Sequence, residues 1–388
     1  MKKVLLISPL PPPVGGIATW TINLKKYISD NGIKNIKHLN SAMKFRKITD
    51  SNPINRILFG ILDSCLLLPR VFFCLLKEKY DLIHLTSSAG LGLYNALCII
   101  RIAKLFDVSV ITHWRFGRIP YLALKKNKEW NLLGKVISKC QHSIVIDLNS
   151  LNVLKNKGFT NVVYVPNPFL FENEQDFSIQ TINQRSNNTI LYVGHIVLTK
   201  GVFELVKAVS LLEEEFVLKM VGPYENSIMK ELMLIAKRKN GGKWLSFLGQ
   251  KSKNEIYELL RTSTIICLPS YSEGFPNVIL EAMAFSLPVV ATNVGAIPDI
   301  LTPDSDKTSG ICVPVKDVDS LKNAIKRVMY DSHLRQQMGE NGYQKIRNEY
   351  SMGKVFGLYE LLWGYDYSKN DQALRVDSER RRKTRICL

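Results

Sequence analysis

Residues 270–296 read SYSEGFPNVILEAMAFSLPVVATNVGA and contain two glutamates, Glu273 and Glu281, separated by seven residues. The apolar run TIICLP before the first glutamate predicts a buried strand, and the Ser, Gly and Pro residues around it predict a loop. Apolar residues then recur at helical spacing, and a second apolar strand follows. Ligands of such a strand–loop–helix–strand unit bind at the carboxyl ends of the strands. We therefore expect Glu273 in the loop and Glu281 in the helix, both at the ligand edge.

The stretches E-G-F-P, E-A-M-A and P-V-V-A-T in this segment resemble the retaining GT-B glycosyltransferases that use nucleotide sugars. This large group, the glycosyl transferases group 1, shares an E-x7-E signature. The resemblance implies that Glu273 and the segment after it hold the donor sugar, and that Glu281 accepts hydrogen bonds from the ribose hydroxyls. The segment consists of Gly274, Phe275 and Pro276. Ser286 departs from the pattern, because the family usually has Gly there, so we expect helix termination to differ slightly.

The length of 388 residues and the apolar fraction of 46% indicate two globular domains. The resemblance implies an α/β protein of GT-B architecture, with two doubly wound, parallel-sheet, Rossmann-like domains facing across a cleft. We predict an N-terminal acceptor-side domain at 1–170, a linker at 171–188, a C-terminal nucleotide-sugar-binding domain at 189–350, a helix at 351–367 that crosses back to the first domain, and a disordered basic tail at 368–388.

The net charge of +18 is concentrated in the first half of the chain, where residues 1–170 carry 24 Lys and Arg against 8 Asp and Glu. Such a positive field favours an anionic membrane or a phosphate-bearing acceptor. We expect no nucleic-acid partner, because no zinc finger, basic zipper or RNA-binding signature is present. Prolines interrupt the first apolar run, and the seven cysteines form no C-x-x-C pair. The predicted location is cytoplasmic and peripheral, at the inner face of the membrane.

Residues 56–77 form an apolar segment in which four charges recur every seven residues, namely Arg56, Asp63, Arg70 and Lys77. On a helix these charges make one narrow polar stripe. Pro69 is expected to kink or split the helix. The uninterrupted apolar runs are shorter than the roughly 20 residues that cross a bilayer, which predicts that the segment does not span it. It is either a core helix of the first domain or a helix partly sunk in the membrane interface.

Three further groups in the first domain are candidate ligands of the substrates. Gly15 and Gly16 lie between the first strand and a helix, where free amides favour an anion, and the resemblance implies that this loop faces the donor phosphates. His113 follows the strand SVIT, and the resemblance implies that it lines the cleft near the donor sugar and acts in catalysis. Arg115 and Arg118 either bind a phosphate of the acceptor or lie solvated at the surface.

In the second domain, the strand TILYVGHI is followed by Lys200 and Gly201, which resembles the G-R-x4-K-G motif of the family. In that motif both cations neutralise the donor pyrophosphate. Lys200 matches, whereas His195 stands in place of the arginine, and a neutral imidazole compensates a pyrophosphate poorly. The D-x-D sequence Asp317-Val318-Asp319 is interpreted as an N-cap rather than a metal site. We therefore expect neither a metal nor a cofactor, with the nucleoside diphosphate sugar as co-substrate.

The hypothesis that follows is retaining, metal-independent hexosyl transfer to an acceptor hydroxyl, with Glu273, His113 and Lys200 as the catalytic set. The expected acceptor is a lipid-linked saccharide in cell-surface polysaccharide or O-antigen assembly. Front-face displacement is preferred, because the motif offers no obvious nucleophile. Two alternatives stay open: a nucleotide-sugar epimerase on the same architecture, and a non-catalytic nucleotide-sugar-binding subunit of a membrane assembly.

Overall fold

The computed structural model describes residues 2–12, 15–45, 53–171, 188–303 and 305–364, except for the side chains of residues 53, 54, 56 and 57. Most of the predicted linker, the predicted tail at 368–388 and the side chain of Arg56 lie outside these residues.

The first sheet is built from short apolar runs that are buried on both faces, as parallel strands between helices require. All its strands are parallel, in the order β2-β1-β3-β4-β5-β6. The strands are β1 (Val4–Ser8), β2 (Ile36–Asn40), β3 (Leu82–Ser87), β4 (Ser109–Trp114), β5 (His142–Val145) and β6 (Val162–Tyr164). The helices between them are α1 (Gly16–Asp30), α2 (Pro53–Lys77), α3 (Leu91–Leu105), α4 (Ile119–Lys125), α5 (Lys128–Ile137) and α6 (Leu148–Asn156).

The second sheet repeats this plan, with parallel strands in the order β12-β11-β10-β7-β8-β9. The strands are β7 (Thr189–Val193), β8 (Val217–Val221), β9 (Leu245–Gly249), β10 (Ile265–Leu268), β11 (Val289–Thr292) and β12 (Gly310–Val313). The helices are α7 (Val202–Ser210), α8 (Asn226–Ala236), α9 (Lys253–Thr262), α10 (Asn277–Ala284), α11 (Ile297–Leu301), α12 (Val318–Tyr330), α13 (Ser332–Lys345) and α14 (Met352–Leu362). The predicted fold class is confirmed.

Two details differ from the local sequence pattern. His113 lies inside β4 rather than after it. Pro69 does not split α2, which runs unbroken from Pro53 to Lys77. A third detail explains a departure in the motif: Ser286, which follows α10, has φ +53°. Glycine adopts this left-handed conformation without steric cost, which accounts for the family's preference at that position.

Helix α2 packs against α3 by one side only. A side-chain carbon built on Gly60 would lie 2.4 Å from Cδ1 of Leu91, so the two helices are in close contact there. The opposite side exposes a row of large apolar side chains, namely Leu58, Ile61, Leu62, Leu66, Phe72, Phe73 and Leu76. Since most of its apolar surface is uncovered, α2 is not the buried core helix that was one of the two expectations.

Among the described residues, Leu58–Lys77 is long and apolar enough to cross a membrane by length and composition, with a mean hydropathy of 1.9. Only 17% of that window is buried in the protein. The helix passes this test because the window average outweighs the isolated charges within it, whereas the expectation that the segment does not span a bilayer rests on the short uninterrupted runs and stays a prediction.

Helix α14 lies against the first sheet although it follows the second domain in sequence. Val355, Phe356 and Tyr359 are buried in one cluster with Val4 and Leu6 of β1. The chain therefore returns to the N-terminal domain, and the two domains are joined at both ends of the second one.

Candidate active site

Both sheets reverse their strand order at one point, and the candidate residues follow the strands at that point. In the second sheet β7 and β10 are neighbours whose chains continue in opposite directions. Lys200 follows β7, and Glu273 follows β10. Ligands of open α/β sheets bind in the crevice at such a switch point. The topology therefore brings together two residues that are 73 positions apart.

Lys200 and Glu273 form an ion pair, with Nζ of Lys200 donating to Oε1 of Glu273 at 2.6 Å. The side chains of Lys200 and Glu273 are 29% and 14% exposed, so a ligand in the cleft can reach both. Gly201 makes this position possible. Its φ is +66°, and a side-chain carbon there would lie 2.0 Å from the carbonyl oxygen of Pro269. The Lys200 turn thus packs directly on the segment after β10.

The loop that carries Glu273 is fixed by backbone contacts. The amide of Ala296 donates to the carbonyl oxygen of Gly274 at 2.9 Å. Gly295 has φ +57°, and a side-chain carbon there would lie 2.2 Å from the carbonyl oxygen of Glu273. Phe275 is buried with its ring against Tyr350 at 6.1 Å between centroids. The Phe275 side chain therefore anchors the loop in the core.

Glu281 lies in the second turn of α10, as the spacing predicts. Burial raises the pKa of its carboxyl above the ordinary value, while the positive charge of Lys253 opposes this shift. A half-buried carboxylate can accept two hydrogen bonds from neighbouring hydroxyls. His195, by contrast, is exposed, and its carbonyl oxygen accepts a hydrogen bond from the hydroxyl of Tyr192 at 2.7 Å.

A cavity of about 370 Å³ lies between the two domains, and we call it the cleft cavity. Its lining includes six of the predicted site residues: Gly16, Arg115, Arg118, Glu273, Gly274 and Phe275. The other predicted site residues, which are Gly15, His113, His195, Lys200, Pro276 and Glu281, are not part of this lining. Pro276 is the N-cap of α10 beside the cavity, and Gly15 is the N-cap of α1.

The two domains touch directly across the cleft. A side-chain carbon on Gly117 would lie 2.6 Å from the carbonyl oxygen of Glu273, so only glycine allows this approach. The amide group of Asn167 donates to Oδ1 of Asn277 at 3.0 Å. Oδ1 of Asn167 is buried, has no hydrogen-bond partner among the described residues, and belongs to a side chain that lines the cleft cavity. An unsatisfied buried carbonyl at this place favours a ligand that donates a hydrogen bond.

His113 lies at the centre of a buried hydrogen-bond chain. Nε1 of Trp363 donates to Nδ1 of His84 at 3.0 Å, Nε2 of His84 lies 3.2 Å from Nδ1 of His113, and Nη1 of Arg115 lies 3.1 Å from Nε2 of His113. Burial lowers the pKa of His84 to about 3 and that of His113 well below its usual range, and the charge of Arg115 adds to both shifts. Both rings are therefore neutral at pH 7. The His113 ring lies behind Arg115 and not at the cavity wall.

The number of protons in this hydrogen-bond chain limits which of its contacts can be ordinary hydrogen bonds. Trp363 and Arg115 can only donate, and each neutral imidazole carries one N–H proton. Four N–H protons are therefore available for three nitrogen–nitrogen contacts. At one of these contacts two N–H groups must face each other, whichever tautomers the histidines adopt. Arg115 pairs with no carboxylate of the described residues, so His113 is its hydrogen-bond partner in this chain of contacts.

Arg115 and Arg118 differ in their surroundings. The guanidinium of Arg115 lies 4.7 Å from the centre of the Trp20 ring, and burial lowers its pKa to about 10. Arg118 is exposed, and its Nη2 lies 3.6 Å from Oε1 of Glu129. A buried guanidinium without a carboxylate has an uncompensated desolvation cost, which an anion in the cavity offsets. Arg115 is thus the stronger candidate for a phosphate.

Sequence reasoning missed Asn167 and His84. Asn167 stands in the turn VPNP, whose two prolines were interpreted only as the end of a domain. His84 lies in the apolar strand DLIHL, where a single polar residue gives no signal of its partner 29 positions away. The capping interpretation of Asp317 is confirmed: its Oδ1 accepts from the amide of Ser320 at 2.9 Å. Among the described residues no group of three or more metal-ligating side chains occurs.

Two doubly wound domains that face each other across a ligand cleft define the GT-B architecture. The solved structure of HepE from Anabaena in complex with UDP matches the chain with a TM-score of 0.69 and 16% identity, covering 94% of this chain and all of that one. At this identity the likeness concerns the fold.

The sequence comparisons show which glycosyltransferases the chain is similar to. Residues 173–345 match the model of the glycosyl transferases group 1. An uncharacterized glycosyltransferase of Methanocaldococcus jannaschii is 28% identical over 88% of this chain and 92% of its own length. The putative teichuronic acid biosynthesis glycosyltransferase TuaC of Bacillus subtilis is 26% identical over 42% of this chain and 39% of its own length. Residues 173–345 are therefore similar to the glycosyl transferases group 1, and a relative that aligns with most of this chain is named as a glycosyltransferase.

Proposed function

We propose that this protein transfers a hexosyl group, with retention of anomeric configuration, from a nucleoside diphosphate sugar to a hydroxyl of a lipid-linked saccharide. The observation that carries the proposal is the pair Lys200–Glu273, because it places a cation and a carboxylate 2.6 Å apart at the switch point of the nucleotide domain. TuaC is named for teichuronic acid biosynthesis, and HepE was solved in complex with UDP. We extend both to this chain as polysaccharide assembly and as a uridine or related nucleotide.

The proposed step forms one bond and breaks another on the same face of the sugar. The bond between the anomeric carbon and the diphosphate oxygen breaks, the acceptor oxygen bonds to that carbon, and the acceptor proton moves to the departing diphosphate. Lys200 stabilises the negative charge that develops on the diphosphate. Glu273 and the amides after it position the sugar hydroxyls. Contact between the domains at Gly117 excludes water from the site, which suppresses hydrolysis of the donor.

Arg115 supports an anionic acceptor. It lines the cleft cavity from the N-terminal domain, opposite the loop of Glu273, and pairs with no carboxylate of the described residues. A phosphate that joins the acceptor saccharide to its lipid would supply the missing charge. No metal or cofactor takes part in the proposal.

The exposed apolar side of α2 supports a peripheral position at the inner face of the membrane. Phe73 and Leu76 are 56% and 62% exposed, and the first 170 residues carry a large excess of positive charge. Apolar side chains that enter the interface and cations that meet anionic headgroups act together at such surfaces.

The transfer is tested by incubating the purified protein with a panel of labelled nucleotide sugars and a bacterial membrane lipid extract. We expect label in the organic-extractable fraction for one donor class. Inversion of the donor sugar without any acceptor would support the epimerase alternative instead. Donor binding without turnover over any lipid fraction would support the non-catalytic subunit.

Membrane binding is tested by co-sedimentation with vesicles of phosphatidylcholine and phosphatidylglycerol at several salt concentrations. We expect binding that weakens with salt but does not vanish, and that Phe72→Ser with Phe73→Ser reduces. The control is Leu124→Ser, because Leu124 is 82% exposed on α4, away from α2. If the wild type does not bind anionic vesicles at low salt, the proposed peripheral membrane location is wrong. If only removal of residues 368–388 abolishes binding, the docking surface lies in the tail.

A further inference from the structure

The hydrogen-bond chain behind Arg115 connects the C-terminal helix to the cleft. His84 lies in β3, His113 lies in β4, and Trp363 directly follows α14, the helix that returns to the first domain. His84, His113 and Trp363 are at most 1% exposed, whereas the side chain of Arg115 lines the cleft cavity. A residue that follows α14 therefore contacts the cleft through two buried rings.

The inner end of this hydrogen-bond chain determines where the two histidines carry their protons. The Trp363 indole N–H can only donate, so its contact with Nδ1 of His84 is a hydrogen bond only if that nitrogen carries no proton. His84 then has its proton on Nε2, from which it donates to Nδ1 of His113. The proton of His113 in turn lies on Nε2, the nitrogen that faces Arg115. Both inner contacts are thus satisfied only when the two histidines are Nε2–H tautomers.

The contact between His113 and Arg115 conflicts with this arrangement. Nη1 of Arg115 and Nε2 of His113 are 3.1 Å apart, and a guanidinium can only donate. A hydrogen bond from Arg115 requires the Nδ1–H tautomer of His113, which moves the facing pair of N–H groups to an inner contact. While Arg115 lies against His113, the hydrogen-bond chain therefore cannot satisfy all its contacts.

Arg115 is the member of this hydrogen-bond chain that can leave it. Its side chain lines the cleft cavity, where the oxygen atoms of an anion can accept its N–H groups. When Arg115 leaves, three N–H protons remain for the two inner contacts, and the third points outward from Nε2 of His113. The facing pair of N–H groups is then gone. An anion that binds Arg115 is therefore favoured by charge and also by removal of this conflict.

The Trp20 ring keeps the two donors close together. The guanidinium of Arg115 lies 4.7 Å from its centre, and the His113 ring meets it edge to face with 5.4 Å between centroids. Nε1 of Trp20 in turn donates to the hydroxyl of Tyr359 on α14 at 3.2 Å. A small shift of Arg115 over this ring admits one oxygen between the guanidinium and Nε2 of His113. Two N–H donors that converge on one oxygen suit a phosphate.

We propose that Trp363 and His84 are positioning residues for the cleft: they hold His113 as its Nε2–H tautomer, so that His113 and Arg115 together donate to one substrate phosphate. In the free protein Arg115 occupies the place of that phosphate oxygen. On binding, Arg115 moves to the anion and Nε2 of His113 becomes the second donor. This inference rests on the proposed function, because it takes a phosphate of the donor or of the acceptor as the anion.

Nitrogen-15 NMR of the imidazole rings tests the tautomer directly, because protonated and unprotonated ring nitrogens give well-separated signals. The protein has six histidines, and the signals of His113 and His84 are identified by their loss in His113→Asn and His84→Phe. Spectra are recorded without ligand, with UDP, and with inorganic phosphate added to the UDP-saturated protein. The two additions distinguish a phosphate of the nucleotide donor from a second phosphate group.

Trp363→Phe is the decisive variant, because it deletes one N–H group and keeps an aromatic ring in the buried cluster. His84 can then carry its proton on Nδ1 and accept at Nε2 from the Nδ1–H group of His113. His113 in turn accepts from Arg115, so that no two N–H groups face each other. The variant therefore holds Arg115 against His113 and no longer favours its departure.

A second variant and a control accompany Trp363→Phe. His84→Phe interrupts the same hydrogen-bond chain at its next member, and its affinity is used if Trp363→Phe does not fold. The matched control is Trp244→Phe in the second domain. Trp244 is buried, and its indole N–H donates to the carbonyl oxygen of Ala236 at 3.2 Å. Both tryptophan variants thus lose a buried indole hydrogen bond, and only one of them changes the contacts of His84.

In the wild type we expect one of the two additions to give His113 with its proton on Nε2. The same ligand should bind Trp363→Phe about tenfold more weakly, and unliganded Trp363→Phe should carry the His113 proton on Nδ1. The Trp244→Phe control should match the wild type in both measurements. A His113 proton on Nδ1 in every wild-type sample overturns the inference, and so does unchanged affinity in Trp363→Phe.

These measurements are separable from the proposed function, because neither the spectra nor the affinities require turnover. In the transfer assay with membrane lipid extract, equal labelling by the wild type, Trp363→Phe and His84→Phe would keep the glycosyl transfer and reject the positioning role. No labelling by the wild type, with the phosphate-dependent tautomer of His113 still observed, would reject the proposed transfer and keep the phosphate contact.

Discussion

Lys200 and Glu273 neutralise each other across 2.6 Å, at the position that the proposed function gives to the donor diphosphate and sugar. Each comes from the loop after a different strand, and Gly201 fixes their approach. A donor that binds here must replace this contact by new ones: phosphate for the lysine and sugar hydroxyls for the glutamate. Without a donor, Lys200 and Glu273 therefore pair with each other, and on binding each exchanges this partner for a group of the donor. Neither charge is left buried without a partner.

Lys200→Gln should lower kcat by about 10² to 10³, because the departing diphosphate loses the cation that stabilises it. Steady-state kinetics with the identified donor measure this. The control Lys207→Gln removes an exposed lysine of α7 in the same domain and should have no effect. A Lys200 variant with wild-type kcat would contradict the diphosphate assignment.

Glu273→Gln keeps the shape of the side chain and removes its charge near the donor sugar. We expect kcat to fall more than affinity for the free nucleotide, since the nucleotide does not contact this residue in the proposed arrangement. Comparison of kcat with nucleotide titration by calorimetry gives the answer. Equal losses in both quantities would remove the sugar-positioning role.

Glu281→Ala should weaken binding of the free nucleoside diphosphate, because each hydrogen bond from a ribose hydroxyl to a carboxylate contributes about 1.5 to 3 kcal/mol. The raised pKa of Glu281 adds a pH effect. As pH falls, this carboxyl takes up its proton earlier than an ordinary glutamate, so wild-type affinity should decline at a higher pH, and Glu281→Gln should lack that decline. Calorimetry across pH tests both, with exposed Glu231→Ala of α8 as the control. Unchanged affinity in Glu281→Ala would refute the ribose contact.

Gly117→Ala should hold the two domains apart, because its side-chain carbon would lie 2.6 Å from the carbonyl oxygen of Glu273. We expect a larger radius of gyration by small-angle scattering and a loss of about 10² in kcat/KM from misplacement of the reacting groups. Gly357→Ala is the control, since a side-chain carbon there meets nothing within 4 Å. Wild-type activity in Gly117→Ala would show that close approach of the domains at this point is not needed.

His84 should make the protein sensitive to acid. Its pKa in the folded protein is about 3, below the ordinary value of 6.5, so the unfolded chain binds a proton there that the folded chain does not. The free energy of unfolding should therefore fall as pH decreases from about 6.5, by up to about 1.4 kcal/mol per pH unit for this group. Urea unfolding at pH 7.5, 6 and 5 measures the slope. His84→Gln should flatten it, exposed His333→Gln should not, and an unchanged slope in His84→Gln would assign the acid sensitivity to other groups.

The sequence by itself determined the alternation of strands and helices and the places of Lys200, Glu273 and Glu281 in that alternation. These features depend on periodicity, turn residues and motifs that are each confined to one short segment, so local order is enough to predict them. The two doubly wound domains were predicted from the resemblance that these motifs carry. The capping role of Asp317 was predictable for the same reason.

Only the tertiary structure decided which residues meet across distance. Three features join segments that are far apart in sequence: the contact of Gly117 with the Glu273 loop, the hydrogen-bond chain from Trp363 through His84 to Arg115, and the cavity among α1, α2 and α3. The exposed apolar side of α2 is another feature that only the tertiary structure decides. An apolar helix has the same sequence pattern whether neighbouring elements cover one of its sides or all of them. How much of its surface is covered depends on tertiary packing, which local residue spacing does not encode.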